Sequence, residues 1–222
     1  MKKTAYLFLF SCLLLLQSCF EIIEQLVMKQ DGSGNFQLVI NMSKSRTKLN
    51  SITKMKKVNG HDVPSREEIS RKVADIEKLI RNTPGMSNVK SSLDFDNYIA
   101  SLSCDFVKVS NLNTAIKNIN DKESNSNKPL ANTYEYDATG KVFSRLNKFL
   151  LKEEYQKMSN ADKEIFATAN YTGIFRFDRE ITAASNKDSK LAANKKAVMI
   201  KLNALDVITN KKSIENKINL VK

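Results

Sequence analysis

The chain has 222 residues, with 36 Lys and Arg against 24 Asp and Glu, a formal net charge of +12, three cysteines, one histidine and no tryptophan. Its length suffices for one large domain or two small ones, each able to bury a core. The basic balance suits a nucleic acid, an anionic lipid surface or an acidic glycan as partner, and a single histidine excludes any site built on several imidazole ligands.

Lys2 and Lys3 open the sequence, an apolar stretch runs from Ala5 to Leu16 broken only by Ser11, and Gln17, Ser18 and Cys19 follow. This is the order of charge, apolar core and small residue found in a secretory signal. The apolar run, about 12 residues, is shorter than the ~20 a helix needs to cross a bilayer. Leu16-Gln17-Ser18-Cys19 resembles the lipobox of bacterial lipoproteins: Leu three places before the cleavage point, a tolerant position, a small residue, then the obligatory Cys. The resemblance implies that residues 1–18 are removed and that Cys19 carries a diacylglycerol thioether. Its new amino group would carry a fatty acid, giving a palmitate-type anchor in the membrane.

Cys12 would leave with the signal, so only Cys19 and Cys104 remain. With Cys19 acylated no intramolecular disulfide can form, and Cys104, inside an apolar alternation, reads as a small core residue. Loss of Lys2 and Lys3 lowers the charge to about +10. Outside the cytoplasm an anionic lipid or a glycan is the expected partner, with no nucleic acid.

After Cys19, Phe36, Leu38, Ile40 and Met42 alternate with polar positions. Ile22, Leu26 and Met28 supply a partner strand in which Glu24 breaks the alternation, and DGSG at 31–34 supplies the turn. Residues 20–43 therefore read as a β-hairpin. Residues 44–57 carry Lys44, Arg46, Lys48, Lys54, Lys56 and Lys57 and no acid, with Leu49, Ile52 and Met55 on one stripe, which predicts a short basic amphipathic helix. Ser65 and Glu68 form a capping box for a helix over 66–82, ended by Pro84 and Gly85. A third strand through Val89, Leu93 and Phe95 turns at Asp96 and Asn97 into a fourth from Tyr98 to Phe106. A helix through Leu112, Ala115, Ile116 and Ile119 follows.

NDKESNSNKP at 120–129 is polar and aperiodic and reads as a linker or long loop. The expected organisation is a signal at 1–18, an α+β subdomain at 19–120, the polar loop at 121–132 and a second α+β subdomain at 133–222 packed with the first. In the second half, Tyr134 and Tyr136 lead through a DATG turn into Val142 and Phe143 as another hairpin. Helices are expected at 147–158 and 160–167, the latter capped by Ser159 with Asp162. YTGIFRFDREI and AVMIKL read as strands, LDVI as a short helix, and Ile214, Ile218 and Leu220 as a terminal strand. Paired strands separated by helices predict an α+β fold, with mainly antiparallel sheet built from hairpins and amphipathic helices packed on it.

Catalytic constellations are sparse. His61 sits in a turn-like loop, and neither a nucleophile elbow, a phosphate loop nor a Cys pair occurs. DGSG lacks the acidic continuation of a calcium loop. The carboxylate pairs Asp94/Asp96 and Asp178/Glu180 fall in turns and solvent-facing positions. The expectation is a protein that is not an enzyme and needs no cofactor or metal, its site residues being Cys19 for lipid attachment and the six basic residues of 44–57 facing a membrane or ligand.

EQLVMKQDGSGNFQLVINM, the helix after it and the late YTGIFRFDREI strand resemble an uncharacterised group of bacterial lipoproteins and, more loosely, the LppM-type domain. That domain also follows a lipobox and begins with a hairpin around a similar turn. The resemblance implies an envelope-facing α+β domain with glycolipid contact and supplies no catalytic residues. The resulting expectation is a cell-envelope lipoprotein on the periplasmic side of the outer membrane. It would bind lipid or glycan, or else serve as a structural or assembly partner in an envelope complex, with a hydrolase as the third reading.

Overall fold

The computed structural model describes residues 20–123, 132–146 and 152–221. The signal at 1–18, the attachment residue Cys19, most of the polar loop and the first part of the helix expected at 147–158 lie outside them.

Glu21–Met28 (β1) and Gly34–Asn41 (β2) form the first hairpin, with Glu21 opposite Asn41 and Met28 opposite Gly34. Gly32 turns the chain at φ +85°, a left-handed conformation that a side chain resists. Asp31 steadies the turn, its Oδ1 accepting from the Ser33 N–H and hydroxyl at 2.9 and 2.7 Å.

A 3₁₀ turn, Ser43–Ser45, leads into helix α1, Arg46–Ile52. The helix is shorter than the basic segment predicts. It starts without a side-chain cap, and the Ser51 and Thr53 hydroxyls bond to the carbonyls of Thr47 and Asn50, favouring a bend over continued helix. Lys57–Val58 (β3) and His61–Asp62 (β4) then pair as a two-stranded ribbon.

Helix α2, Arg66–Arg81, has the capping box in full: Ser65 accepts from the Glu68 N–H, and Glu68 accepts from the Ser65 N–H at 2.7 Å. Met86–Asp94 (β5), Ile99–Phe106 (β6) and helix α3, Val109–Glu123, follow. Beyond the polar loop come Tyr134–Asp137 (β7), Val142–Arg145 (β8), helices α4, Lys152–Lys157, and α5, Asn160–Ala167, and Asn170–Phe177 (β9). Ser159 caps α5 by accepting from the Asp162 N–H. The chain ends with Ile181–Ala184 (β10), Ser189–Leu191 (β11), Ala197–Asn203 (β12), helix α6, Ala204–Ile208, and Asn216–Leu220 (β13).

These strands form a seven-stranded sheet, ordered β11-β12-β9-β1-β2-β6-β5, and a four-stranded sheet, ordered β10-β13-β8-β7. Helices and mostly antiparallel sheet combine as α+β. The exception is β1, which pairs parallel with β9, Glu21 facing Asn170, and makes the larger sheet mixed. That sheet takes β1, β2, β5 and β6 from before the polar loop and β9, β11 and β12 from after it. YTGIFRFDREI is two strands: Phe175 and Phe177 lie in β9, while Ile181 belongs to β10 in the smaller sheet.

One face of the large sheet is the core. Leu26, Met28, Phe36, Cys104, Phe106, Phe175, Val198 and Ile200 are buried on it. The four-stranded sheet covers it at the β1–β9 side, where Phe143 lies 5.6 Å from Phe175 and 5.4 Å from Phe177 between ring centroids. Ile80 of α2 and Leu112 and Ala115 of α3 join the same cluster with Val89 of β5. Cys104 is buried there, and burial followed by the nearby Asp105 charge pushes its thiol up to about 11. The opposite face, with Ile23, Val27, Val39, Ile174 and Met199, is partly open to solvent.

Glu24 does not break the alternation of β1; it occupies the buried face and is 5% exposed. Arg145, at the end of β8, meets it bidentately, Nε to Oε1 at 2.8 Å and Nη2 to Oε2 at 2.9 Å. The Tyr134 hydroxyl donates to Oε1 at 2.8 Å and the Tyr171 hydroxyl to Oε2 at 3.0 Å, so each oxygen accepts two donors. Arg145 Nη1 donates to the Leu146 carbonyl, and the guanidinium lies 5.0 Å from the Tyr134 ring centroid. Gly173 sits opposite Glu24, and a Cβ there would stand 2.8 Å from the Tyr171 hydroxyl, so glycine makes room for this donor. Four side chains thus bolt the two sheets together with their polar atoms satisfied.

Breaking such a pair is costly because one buried charge is left alone. Arg145→Met should lose about 3–5 kcal/mol in urea unfolding. The double variant Glu24→Leu/Arg145→Met, which removes both charges, should regain at least half of that loss.

Burial, and then the Glu24 charge, hold the Tyr134 and Tyr171 hydroxyls protonated well above their ordinary range. In the unfolded chain tyrosines ionise near pH ~10, so this contribution to stability is complete below about pH 10 and is lost as pH rises towards the folded-state values. Urea midpoints measured from about pH 9 upwards should fall more steeply in the wild type than in Tyr171→Phe.

Candidate functional site

The end of the large sheet where β1 begins is the basic end. Because Glu21 pairs with Asn41, the segment after β2 stands beside the start of β1. All six predicted cations, Lys44, Arg46, Lys48, Lys54, Lys56 and Lys57, are exposed there or in the ribbon that follows. The structure divides them: Lys44 lies in the 3₁₀ turn, Arg46 and Lys48 in α1, Lys54 and Lys56 in the coil after it, and Lys57 in β3, 3.5 Å from Asp62. Leu49 and Ile52 are half-buried, whereas Met55 is 53% exposed and leaves the expected stripe. Cys19, the predicted attachment residue, lies outside the described residues, but Phe20 is already tied to the sheet, its carbonyl accepting from the Asn170 N–H at 3.0 Å.

Beside α1 the β5–β6 hairpin and the start of α2 enclose a cavity of about 280 Å³. Its apolar lining includes Met42, Ile69, Leu93, Phe95, Tyr98 and Ala100. Tyr98 has φ +56°, a left-handed conformation that costs a bulky residue of order 1–3 kcal/mol and is kept only where its surroundings hold it. Here its hydroxyl donates to Asn50 Oδ1 of α1 at 2.7 Å, and its carbonyl accepts from the Met42 N–H at 3.0 Å. Asp94 builds the turn by accepting from the Asp96 and Asn97 N–H groups and from the Asn97 side chain. The Asn97 side-chain bond is the main reason its carboxyl is held below the ordinary range.

The polar element at this cavity is Arg66, the first residue of α2. Its guanidinium lies 5.2 Å from the Phe95 ring centroid and 3.7 Å from Asp96 Oδ1, with both charged side chains largely exposed. A cation beside an apolar hollow can receive an anionic head while the hollow takes a hydrocarbon tail. Neither Arg66 nor Tyr98 stands out in the sequence, since one reads as a helix start and the other as a strand residue. The positive-φ turn that turns Tyr98 out of the β6 alternation has no glycine to announce it.

Other sequence candidates fall elsewhere. His61 Nε2 is 3.5 Å from Asp162 Oδ2, and Asn59 donates to the other oxygen at 3.0 Å, so this loop ties the ribbon to α5. The Asn59 bond leads the causes that lower the Asp162 carboxyl. Asp94 and Asp96 serve the hairpin turn, and Asp178 and Glu180 are exposed at the β9–β10 connection. Among the described residues no group of three or more His, Cys, Asp or Glu side chains is placed to hold a metal ion, and no helix is long and apolar enough to cross a membrane.

No protein-family model matches the chain. No curated protein matches it either. Among solved structures, the folded domain of Mycobacterium tuberculosis LppM, determined by NMR, is a distant likeness. Its TM-score is 0.43 at 12% identity, covering 93% of this chain and 92% of that one.

Exposed lysines next to an anionic surface contribute roughly 1 kcal/mol each at short range. Replacing Lys48, Lys54, Lys56 and Lys57 by Gln in an unlipidated protein should therefore weaken sedimentation with anionic liposomes at least about tenfold. Binding equal to that of the wild type would remove any role for this segment at a membrane.

Proposed function

We propose that the protein is a lipid-anchored lipoprotein of the bacterial cell envelope, held through Cys19, that acts as a non-catalytic binding module for lipid or glycan. At the cavity beside α1 the ligand is an anionic amphiphile. The observation that carries this reading is the place of the cavity: an apolar hollow with Arg66 at its side lies at the basic end of the sheet, where β1 begins. A membrane-held Cys19 one residue before Phe20 would bring this end close to lipid headgroups. Phe20 in place of an Asp after the attachment residue favours the outer membrane, facing the periplasm. A second reading, a structural partner in an envelope complex, is favoured by the partly open face of the large sheet with Ile23, Val39, Ile174 and Met199.

In cells fed a fatty-acid analogue, Cys19→Ser should abolish incorporation of the label. In the purified protein, a fluorescent fatty acid should be displaced by dodecyl phosphate. Ala100→Phe, which fills the cavity, should abolish that binding. Arg66→Gln should weaken dodecyl phosphate about tenfold while sparing dodecanol. Equal displacement in the wild type and both cavity variants would remove the amphiphile site.

A further inference from the structure

The strand registers set the side chains on the open face of the large sheet in rows that cross the strands. One row runs from Arg176 of β9 through Val27 and Asn35 to Asp105 of β6. The next holds Ile174, Gln25 and Gln37, and the one after it Ile23 and Val39, so the middle of the face is apolar or uncharged. Arg176 is exposed, and among the described residues no hydrogen bond or ion pair holds its guanidinium.

The carboxylates of this face are engaged within the chain. Glu21 Oε1 accepts from the Thr172 hydroxyl at 2.7 Å and lies 3.2 Å from Lys201 Nζ, and Asp94 is spent on its own turn. Asp105 accepts from the Asn35 side chain on Oδ1 at 2.9 Å and from the Asn88 side chain on Oδ2 at 2.6 Å, with Lys29 and Lys90 near it. Each of its oxygens keeps room for a second donor. Arg176 cannot supply that donor within one copy. Strands β1 and β2 lie between β9 and β6, and three spacings of ~4.8 Å set the two residues about 14 Å apart.

We propose that a second copy of the chain covers this face, related by a two-fold axis that runs along the strands between β1 and β2. This axis lays β9 over β6 of the second copy and β1 over its β2, each row facing the same row. Arg176 then meets Asp105 of the second copy and Asp105 meets its Arg176, so one isologous contact closes two ion pairs. Ile23 meets Val39, Gln25 meets Gln37, and no like charges stand opposite each other, since Lys201 meets Ser92 and Lys90 meets Met199. An axis across the strands would set Arg176 against Asn170 and Asp105 against Ile99, leaving each charge covered without an opposite one. Six strands ~4.8 Å apart and about eight residues long offer on the order of 700 Å² on each copy, near the ~800 Å² per partner of a stable interface. Two sheets packed face to face keep their strands within about 30° of each other, as this axis requires. The proposal does not depend on the lipid anchor but agrees with it: both β1 strands begin at the same end, so two lipidated Cys19 residues would enter one membrane.

The test is sedimentation equilibrium of the full-length protein over a concentration series, in a density-matched detergent with micelles in large excess. The mass of two copies is expected for the wild type. Arg176→Glu, which sets like charges opposite each other, should weaken the dimer at least about tenfold. The double variant Arg176→Glu/Asp105→Arg, which forms both pairs again with their signs exchanged, should restore it. Ile174→Glu, in the middle of the face, should give single copies that keep the urea midpoint and the dodecyl phosphate binding of the wild type, which separates loss of the interface from loss of the fold or of the amphiphile cavity. A wild type that stays at single-copy mass throughout the series would overturn the proposal, and so would a dimer that Arg176→Glu or Ile174→Glu leaves unchanged. A double variant that folds yet stays single would overturn it as well; if the double variant does not fold, the changes at Arg176 and Ile174 decide alone.

Discussion

A carboxylate inside a dry core must have partners, and the arrangement of both sheets answers to that demand at Glu24. Its side chain lies on the buried face of β1, so its donors must come from whatever covers that face. Arg145 and Tyr134 arrive from the small sheet and Tyr171 from β9. The three come from separate strands, so a slip of one residue in any of these strands would turn its side chain to the other face and leave the carboxylate short of a partner. Hydrophobic contacts such as Phe143 on Phe175 hold the sheets together but tolerate small shifts. The ionic cluster makes one registration far better than its neighbours.

The first hairpin, the capped helix after Ser65, the β5–β6 pair and the β7–β8 hairpin were legible because each rests on local periods and turn chemistry. What was not legible depends on distance. The parallel pairing of β1 with β9 joins residues as far apart in the chain as Glu21 and Asn170, and nothing in either strand encodes its neighbour. Glu24 read as an interruption because its compensation, Arg145, lies far along the sequence. The short strand β11 has little pattern and exists because β12 offers it an edge. As for the sites, the density of cations in 44–57 was plain, but the hollow beside it was not. Tyr98 lines that hollow by leaving the β6 alternation at a positive φ, held through Asn50.

A run of six cations without an acid, residues 44–57, lies at one end of the large sheet. It stands with the apolar cavity where β1 begins; where β1 ends, Asp31, Asp105 and Asp137 are accompanied by Lys29, Lys108 and Lys141. Such a run makes that end of the domain the one an anionic surface would attract. A domain tethered at that end and oriented in this way would carry its first turn, residues 31–34, outward, as far from the surface as the sheet allows.

The place of β1 in the middle of the large sheet has a temporal consequence. Residues 21–28 emerge long before residues 170–177, from a ribosome or from a translocation pore, so the first strand can close its hairpin early while its other edge stays unpaired. Until β9 arrives, the growing chain presents a row of free amides and carbonyls beside a carboxylate that lacks the Tyr171 hydroxyl. Non-local pairing of this kind slows folding, and the interval leaves the incomplete chain open to association with other chains or capture by chaperones. The residues that give the finished protein its single registration are thus also those that expose it most while it is being made.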